Sequence, residues 1–335
     1  MIRIGQIGVG YWGRNLLRNL LAMDGVRVSS LCDADPSTLH RLSKEVHEIK
    51  LLSAPEELFK DDQLDAIVIA TESQTHASLA QRALESGKHV FVEKPLALTS
   101  IEAHELRSIV HRTGLILMVG HILEYHPAYE YVEQLIVRGE IGDVYYLYST
   151  RVNLGIFREK ENALWSLAPH DVSVALRFIK EKPVAVSSTG RSYLRSGIED
   201  VAFLEIEFEH NKMAHLHVSW LDPHKIRQMT VVGSTKMVVI DDMESAEKVR
   251  IYDKGVNGPK TYETYGEAMS IRNGDVHIPY IPMKEPLRLE LEHFVKCVET
   301  GAQPKSNVES GLAVVKILEA ASRSLKEHGK PMEIL

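Results

Sequence analysis

Two hydrophobic periods alternate over the first 120 residues. Short apolar runs, "IRIGQIG", "VRVSSLCD", "LDAIVIAT", "HVFVE" and "LILMVGH", have strand length. Between them, "RNLLRNLLAM", "PSTLHRLSKEV", "HASLAQRALESG" and "TSIEAHELRSIVHRTG" place apolar residues at helical spacing. The punctuation agrees. Pro36 opens a helix where its missing N–H costs nothing, Thr99 and Glu102 form a capping box, and Gly87 and Gly114 stop two helices. "LDAIVIAT" is continuously apolar, as in a strand covered on both faces. Strand and helix in strict alternation predict an α/β fold with a doubly wound parallel sheet.

Beyond His121 the pattern changes. "PAYEYVEQLIVRGEIG" reads as a helix, "DVYYLYSTRVNLG" as a strand and "APHDVSVALRFIK" as another helix. From Pro183 to about Asp253 the chain reads as strands, with turns at His210–Asn211 and Gly233–Ser234, which predicts a large open, mostly antiparallel sheet. Residues 254–286 show no period and are expected to form a long loop with short extended pieces. "RLELEHFVKCVETG" and "ESGLAVVKILEAASRSLKEHG" are amphipathic helices. The expected domains are 1–122 and 123–335, with the last helices able to pack back on the first.

A chain of 335 residues with 44% hydrophobic and 25% charged positions suits two domains. The net charge of -7 argues against a general nucleic-acid or membrane-surface role. No apolar run reaches the ~20 residues of a membrane span, and the start "MIRIGQIG" has no leader character. Cys32 and Cys297 are the only cysteines, so a reducing cytoplasm is the expected setting.

Chemistry enters with Gly8-Val9-Gly10-Tyr11-Trp12-Gly13, a GxGxxG directly after a strand and before a helix. Gly8 permits a tight turn, Gly10 lets a pyrophosphate approach the backbone, and Gly13 lets helix and strand close on one another. Tyr11 and Trp12 complete the turn. Asp33 ends the second strand, where a carboxylate can accept hydrogen bonds from a ribose. The following "ADP" offers no arginine for a 2′-phosphate. The expected cofactor is therefore NAD rather than NADP.

This Rossmann opening, joined to "DAIVIATESQTHASLAQRALESGKHVFVEKPLA" and a later helical "APHD", resembles the Gfo/Idh/MocA oxidoreductase family over essentially the whole chain. The resemblance implies a Rossmann domain carrying NAD(P) and a C-terminal α/β domain carrying substrate and dimer contacts. It implies that Lys94 of "EKP" projects toward nicotinamide and substrate, that Glu93 shapes the cofactor pocket, and that Thr71 and His76 line it. His170 matches the family's histidine. One assignment makes His170 the base and Lys94 the polariser of the reacting oxygen; the reverse stays open. Two positions depart from the family pattern. Ser166 stands where an aspartate is common, one turn before His170, and Glu72 stands where proline is common.

Within the family, "GYWGRNLLRNL", "GHILEYHPA", "STRVNLG" and "LWSLAPHD" are most similar to the nucleotide-sugar branch. That likeness implies UDP-N-acetylglucosamine as substrate, oxidised at its 3-hydroxyl, with a downstream aminotransferase consuming the ketone on a route to diaminosugar lipid A. UDP-N-acetylglucosaminuronate is the nearest alternative substrate. It makes Tyr125, Arg151, Asn153, Arg158, Trp165 and His170 substrate contacts, the two arginines serving a pyrophosphate. An open apolar sheet face implies a homodimer or homotetramer. A metal site is not expected: His215 and His217 share a strand face but lack a carboxylate cluster. A reading of a different class is a non-catalytic NAD sensor, which Ser166 and Glu72 would suit and which Lys94 and His170 oppose.

Overall fold

A computed structural model describes residues 1–155, 157–159, 161–257 and 270–334. The first stretch runs β1 (Ile2–Ile7), α1 (Gly13–Leu21), β2 (Val26–Cys32), α2 (Pro36–Glu45), β3 (Lys50–Leu52), α3 (Glu56–Lys60), β4 (Ala66–Ile69), α4 (His76–Glu85), β5 (His89–Glu93), α5 (Ser100–Thr113) and β6 (Leu117–Gly120). There follow α6 (Pro127–Val137), β7 (Val144–Val152), α7 (Ala163–Phe178), β8 (Pro183–Arg191), β9 (Val201–Phe208), β10 (Lys212–Ser219), β11 (Ile226–Gly233) and β12 (Met237–Asp241). The chain continues through β13 (Val249–Asn257), β14 (Ser270–His277), α8 (Pro286–Thr300), α9 (Val308–Lys326) and β15 (Met332–Glu333). It divides into two compact units, Met1–Tyr125 with Lys284–Glu319, and His126–Met283 with Ala320–Leu335.

In the first unit six parallel strands take the order β3-β2-β1-β4-β5-β6. The order reverses between β1 and β4. In an open α/β sheet the crevice at the strand C-termini beside such a switch point is where ligands bind. The Thr99–Glu102 capping box is present, and Gly114 ends α5 in the left-handed conformation. Leu16 and Leu20 of α1, Ile4 of β1, Phe91 of β5 and Phe294 of α8 are all fully buried in one core. The rings of Phe91 and Phe294 meet edge-on at 5.7 Å. Burial of a side chain of that size stabilises by roughly 1.5–3 kcal/mol.

The second unit is built on a nine-stranded sheet, β14-β13-β12-β11-β7-β10-β9-β8-β15. All its pairs are antiparallel except β7 with β10. The β9–β10 connection turns where predicted, with His210 and Asn211 both at φ 59°. Helix α7 covers β7, β9 and β10, and its Leu164, Ala168, Val172 and Ala175 are buried together with Leu147, Leu204 and Leu216 of those strands. The opposite face carries Tyr146, Tyr148 and Phe203, each about two-fifths exposed.

One expectation needs correction. Residues 254–286 are not all loop: β13 continues to Asn257, and Ser270–His277 returns as its antiparallel partner β14. The pair lies at the sheet's edge with Ile271 and Val276 exposed. Val249 and Ile251 at the start of β13 are buried. From Lys254 onward the described residues of the pair have no buried face, so there is no alternation to read in the sequence. The part of that expected loop spanning 258–269 lies outside the described residues.

Candidate active site

The glycine turn is assembled from beneath. Gln6 is fully buried in β1, and its side-chain amide donates to the carbonyls of Gly8 (2.9 Å) and Gly13 (2.8 Å), closing the loop on itself. Gly8 has φ +88°, and a Cβ there would sit 2.4 Å from the Ala70 carbonyl oxygen. A Cβ on Gly13 would sit 2.2 Å from the Gly8 oxygen. Gly10 is different: nothing lies within 4 Å of its missing Cβ. Two glycines are thus required by the protein itself, and the third leaves a cradle that a side chain would fill. Helix α1 starts there with no side-chain cap and no acid in its first turn, which favours a phosphate at its N-terminus. Asp33 lies beside the turn, its carboxylate accepting from Val9 N–H (2.7 Å) and Asp35 N–H (3.0 Å). Tyr11 is strongly exposed. These residues fit a dinucleotide: glycine backbone and helix terminus for the pyrophosphate, Asp33 for the ribose. The nicotinamide, when bound, is the hydride acceptor.

Trp12 joins this turn to the opposite end of the site. Its indole N–H donates to Glu93 Oε1 at 2.5 Å. Glu93 ends β5 with 8% of its surface exposed, and the Lys94 backbone N–H donates to Oε2 (3.3 Å). Its carboxyl lies over Gly120, where a Cβ would come within 3.0 Å of it. Burial raises the Glu93 pKa to about 7, against the indole hydrogen bond and the Lys94 charge, which oppose the shift. Glu290 of α8 is wholly buried and neither carboxyl oxygen has a hydrogen-bond partner. Burial, then the charges of Glu93 and Glu124, raise its pKa well above the ordinary value. His121 follows β6, is 1% exposed, and has neither ring nitrogen hydrogen-bonded. Burial, then the Lys94 charge, lower its pKa to about 3. It is a neutral imidazole.

Thr71 and His76 hold the neighbouring loops together. His76 is buried, with Nδ1 2.7 Å from the Pro95 carbonyl and Nε2 3.1 Å from that of Thr71. The Thr71 hydroxyl meets that of Thr75 at 2.7 Å. His76 is therefore a strut between the β4 and β5 loops, and Thr71 N lies 2.9 Å from where a Gly8 Cβ would be.

In the second unit His170 sits in the interior of α7, half-buried, directly after Pro169. Its carbonyl accepts the Ser173 hydroxyl (2.9 Å). Ser166, one turn earlier, is buried. Arg151, expected to serve a pyrophosphate, is instead bound in the interior: Nε and Nη2 reach Asp171 Oδ2 and Oδ1 at 2.6 and 3.0 Å. Its charge is neutralised by Asp171, so it is a structural pair and not a free cation. Arg158 is exposed and paired with Glu161 (3.2 Å). Asn153 is half-buried, its N–H donating to Ser219 O (3.2 Å). Trp165 is half-buried, and its indole N–H donates to Ser322 (2.9 Å). Tyr125 belongs to the first unit. It is buried, and its hydroxyl is engaged by Ser306 Oγ (2.9 Å) and N–H (3.3 Å). Of the residues expected to reach substrate through a polar tip, Arg151 and Tyr125 have those tips occupied inside the protein. His215 and His217 lie on the outward face of β10, and His217 stacks on Phe203 at 4.4 Å. Among the described residues no His/Cys/Asp/Glu group could hold a metal ion.

Sequence reading missed Gln6, His121 and Glu290. Gln6 carried a usable signal, a polar residue amid an otherwise apolar strand beside a glycine turn. Glu290 did not: acids abound on helix faces, and only the packing of α8 reveals that this one is inside.

A parallel sheet with a glycine turn at its switch point, an acid at the end of the second strand and a buried Glu93 followed by Lys94 at the end of β5 defines an NAD-dependent oxidoreductase. Residues 2–121 match the family model described as the GFO/IDH/MocA oxidoreductase family, NAD-binding Rossmann fold, and residues 129–239 match that family's C-terminal domain. The chain belongs to the Gfo/Idh/MocA family. It is 25% identical over 346 residues to scyllo-inositol 2-dehydrogenase (NAD(+)) of Bacillus subtilis (strain 168), covering 99% of this chain and 96% of that protein. Its fold is similar to UDP-N-acetylglucosamine 3-dehydrogenase from Acidithiobacillus ferrooxidans, with TM-score 0.81, 21% identity and 98% of each chain covered. It is also similar to scyllo-inositol dehydrogenase from Lactobacillus casei, solved with NAD(H) and scyllo-inositol, with TM-score 0.80, 18% identity and 100% and 99% coverage.

Proposed function

We propose that the protein oxidises a secondary alcohol of a sugar or polyol with NAD, using Lys94 and His170, and that its substrate is UDP-N-acetylglucosamine, oxidised at the 3-hydroxyl. The observation that carries the chemistry is the β5 terminus, where Glu93 and Lys94 stand at a strand C-terminal end and are tied to the glycine turn by Trp12. His170 takes the hydroxyl proton, and Lys94 donates a hydrogen bond to the reacting oxygen as it becomes a carbonyl. Hydride leaves the same carbon for the cofactor.

The nucleotide-sugar assignment is supported by the segments "STRVNLG" and "LWSLAPHD" and by the fold similarity to a UDP-N-acetylglucosamine 3-dehydrogenase. Arg158 is then the cation that faces a pyrophosphate, and Asn153 and Trp165 contact the sugar. A second reading is a free polyol. It is favoured by the pairing of Arg151 with Asp171, which removes one of two phosphate-binding cations, and by the end-to-end likeness to an inositol dehydrogenase. The outward face with Tyr146, Tyr148 and Phe203 is proposed to pair with a second copy in a dimer or tetramer, which light scattering on the purified protein tests.

Ketone formation against NAD is uphill at neutral pH, so the assay is coupled: protein, NAD, nucleotide sugar, glutamate and an aminotransferase that consumes the ketone. Amino-sugar formation from UDP-N-acetylglucosamine supports the reading. Amino sugar only from UDP-N-acetylglucosaminuronate moves the substrate to the uronate. NADH formed only with an inositol selects the polyol.

A further inference from the structure

Three carboxyl groups, an ammonium group and an imidazole converge around the end of β5 in the first unit. Glu93 is the last residue of β5 and Lys94 follows it, His121 and Glu124 come from the segment after β6, and Glu290 from α8. Glu93, Glu124 and Glu290 are 8%, 5% and 0% exposed. Carboxylates so far from water cannot all be charged, because each buried anion without compensation costs several kcal/mol. The donors decide where the charge rests. Glu93 has the Trp12 indole, the Lys94 backbone N–H and the nearby Lys94 charge. Glu290 has no donor at either oxygen, so it holds its proton. His121 is uncharged for the same reason. Glu93, with a donor on each oxygen and the Lys94 charge beside it, is a group in this cluster whose charge a nearby ligand can change.

The ligand that reaches this end of the site changes its own charge during turnover. Oxidised nicotinamide is a cation and the reduced ring is neutral, while oxidation of an alcohol releases one proton along with the hydride. A carboxylate beside a cation that disappears is the natural place for a proton.

We propose that Glu93 is a proton-uptake residue coupled to the cofactor: a carboxylate when NAD+ is bound and a carboxylic acid when NADH is bound. The balance is simple. The alcohol loses a hydride to the cofactor and a proton to its base, the base passes that proton to water, and Glu93 takes one proton from water as the cofactor's positive charge is lost. The proton leaves again when NADH is exchanged for NAD+. The Trp12 indole donates to Glu93 in either state, so the turn stays closed while the charge changes. This inference rests on the NAD site and not on the substrate assigned above.

The experiment uses no substrate, so its failure and that of the substrate reading are distinguishable. Calorimetric titrations of the full chain with NAD+ and with NADH, near pH 7 and in buffers of different ionisation enthalpy, count the protons moved on binding. NADH binding should take up about half a proton or more relative to NAD+ binding. Glu93→Gln, which keeps an acceptor for Trp12, should abolish the difference, and Glu290→Gln should retain it. Equal proton counts for the two cofactors in the native protein overturn the proposal. So does a difference that persists in Glu93→Gln or vanishes in Glu290→Gln. Should Glu93→Gln not fold, a Trp165→Phe/Trp220→Phe protein leaves Trp12 as the only indole beside an intact Glu93. Its emission should titrate near pH 7 without cofactor and at lower pH with NAD+. Emission flat between about pH 5 and 9 overturns the assignment.

Discussion

The guanidinium of Arg151 and the carboxylate of Asp171 meet in two parallel hydrogen bonds inside the second unit, with side chains only 7% and 2% exposed. The pair fastens β7 to α7 one residue beyond His170. Removing one partner strands the other charge away from water, so Arg151→Met or Asp171→Asn should cost about 3–5 kcal/mol in denaturant unfolding. A loss below about 1 kcal/mol for both would show that the pair is solvated and that Arg151 is available to a ligand.

Lys94→Met should leave NAD binding within a few-fold of native and lower turnover at least ~100-fold, the scale of a positioned proton-transfer group. His170→Asn should lower turnover similarly and flatten the acidic limb of the rate–pH profile. Near-native turnover in Lys94→Met would remove Lys94 from the reacting centre.

The glycines separate folding from binding. Gly13→Ala forces a methyl against the Gly8 carbonyl and should lower the melting temperature of the cofactor-free protein. Gly10→Ala meets open space, so it should melt like the native protein while binding NAD more weakly. Unchanged NAD affinity in Gly10→Ala would remove the pyrophosphate from this turn.

NAD should bind more tightly than NADP, because a 2′-phosphate would approach Asp33 with no arginine after it. Like charges in such positions cost on the order of 1–4 kcal/mol, so the preference should exceed about tenfold. Asp33→Asn should shrink it. Superimposable titrations of the native protein with the two cofactors would contradict this.

The second unit has a built-in acid limit. His126 Nδ1 accepts the Ala128 N–H, which leaves its Nε2 proton for Asp242 Oδ1 at 3.1 Å. That hydrogen bond first, with the charges of Arg227 and Lys248 adding to it, lowers the Asp242 pKa to about 2 against the effect of burial. A carboxyl whose folded pKa lies below its unfolded value stabilises fully above the latter, and its contribution fades as pH falls toward the former. The stability gap between native protein and Asp242→Asn should be constant near neutrality and close between about pH 4 and 2. A gap that is unchanged at pH 2 would rule the mechanism out.

Five strands of the first unit's sheet were legible because β4 and β6 are continuously apolar and buried and β1, β2 and β5 are largely buried. The edge strand β3 and the short α3, three and five residues long, carry no period to read. The second half of β13 and its partner β14 were not legible either, since exposed strands at a sheet edge impose no pattern. At the site, the glycine turn and Asp33 were expected from spacing, and the Glu93–Lys94 terminus from the family resemblance. What spacing does not carry is occupancy. An arginine two residues before an asparagine looks free to meet a phosphate, and only the fold shows Arg151 already taken by Asp171. Tyr125 is the same case, its hydroxyl held by Ser306. Glu290 is the converse, an acid on an ordinary-looking helix face that the packing of α8 places inside.

The indole of Trp12 has a consequence for anyone redesigning this protein. Loop grafts treat a glycine turn as a module, exchanged to change which dinucleotide an enzyme accepts. Here position 12 is the donor to Glu93 across the intervening β4. A grafted turn with another residue there would remove the hydrogen bond at the far end of the pocket, so a change of cofactor preference and a change in turnover would arrive as one mutation.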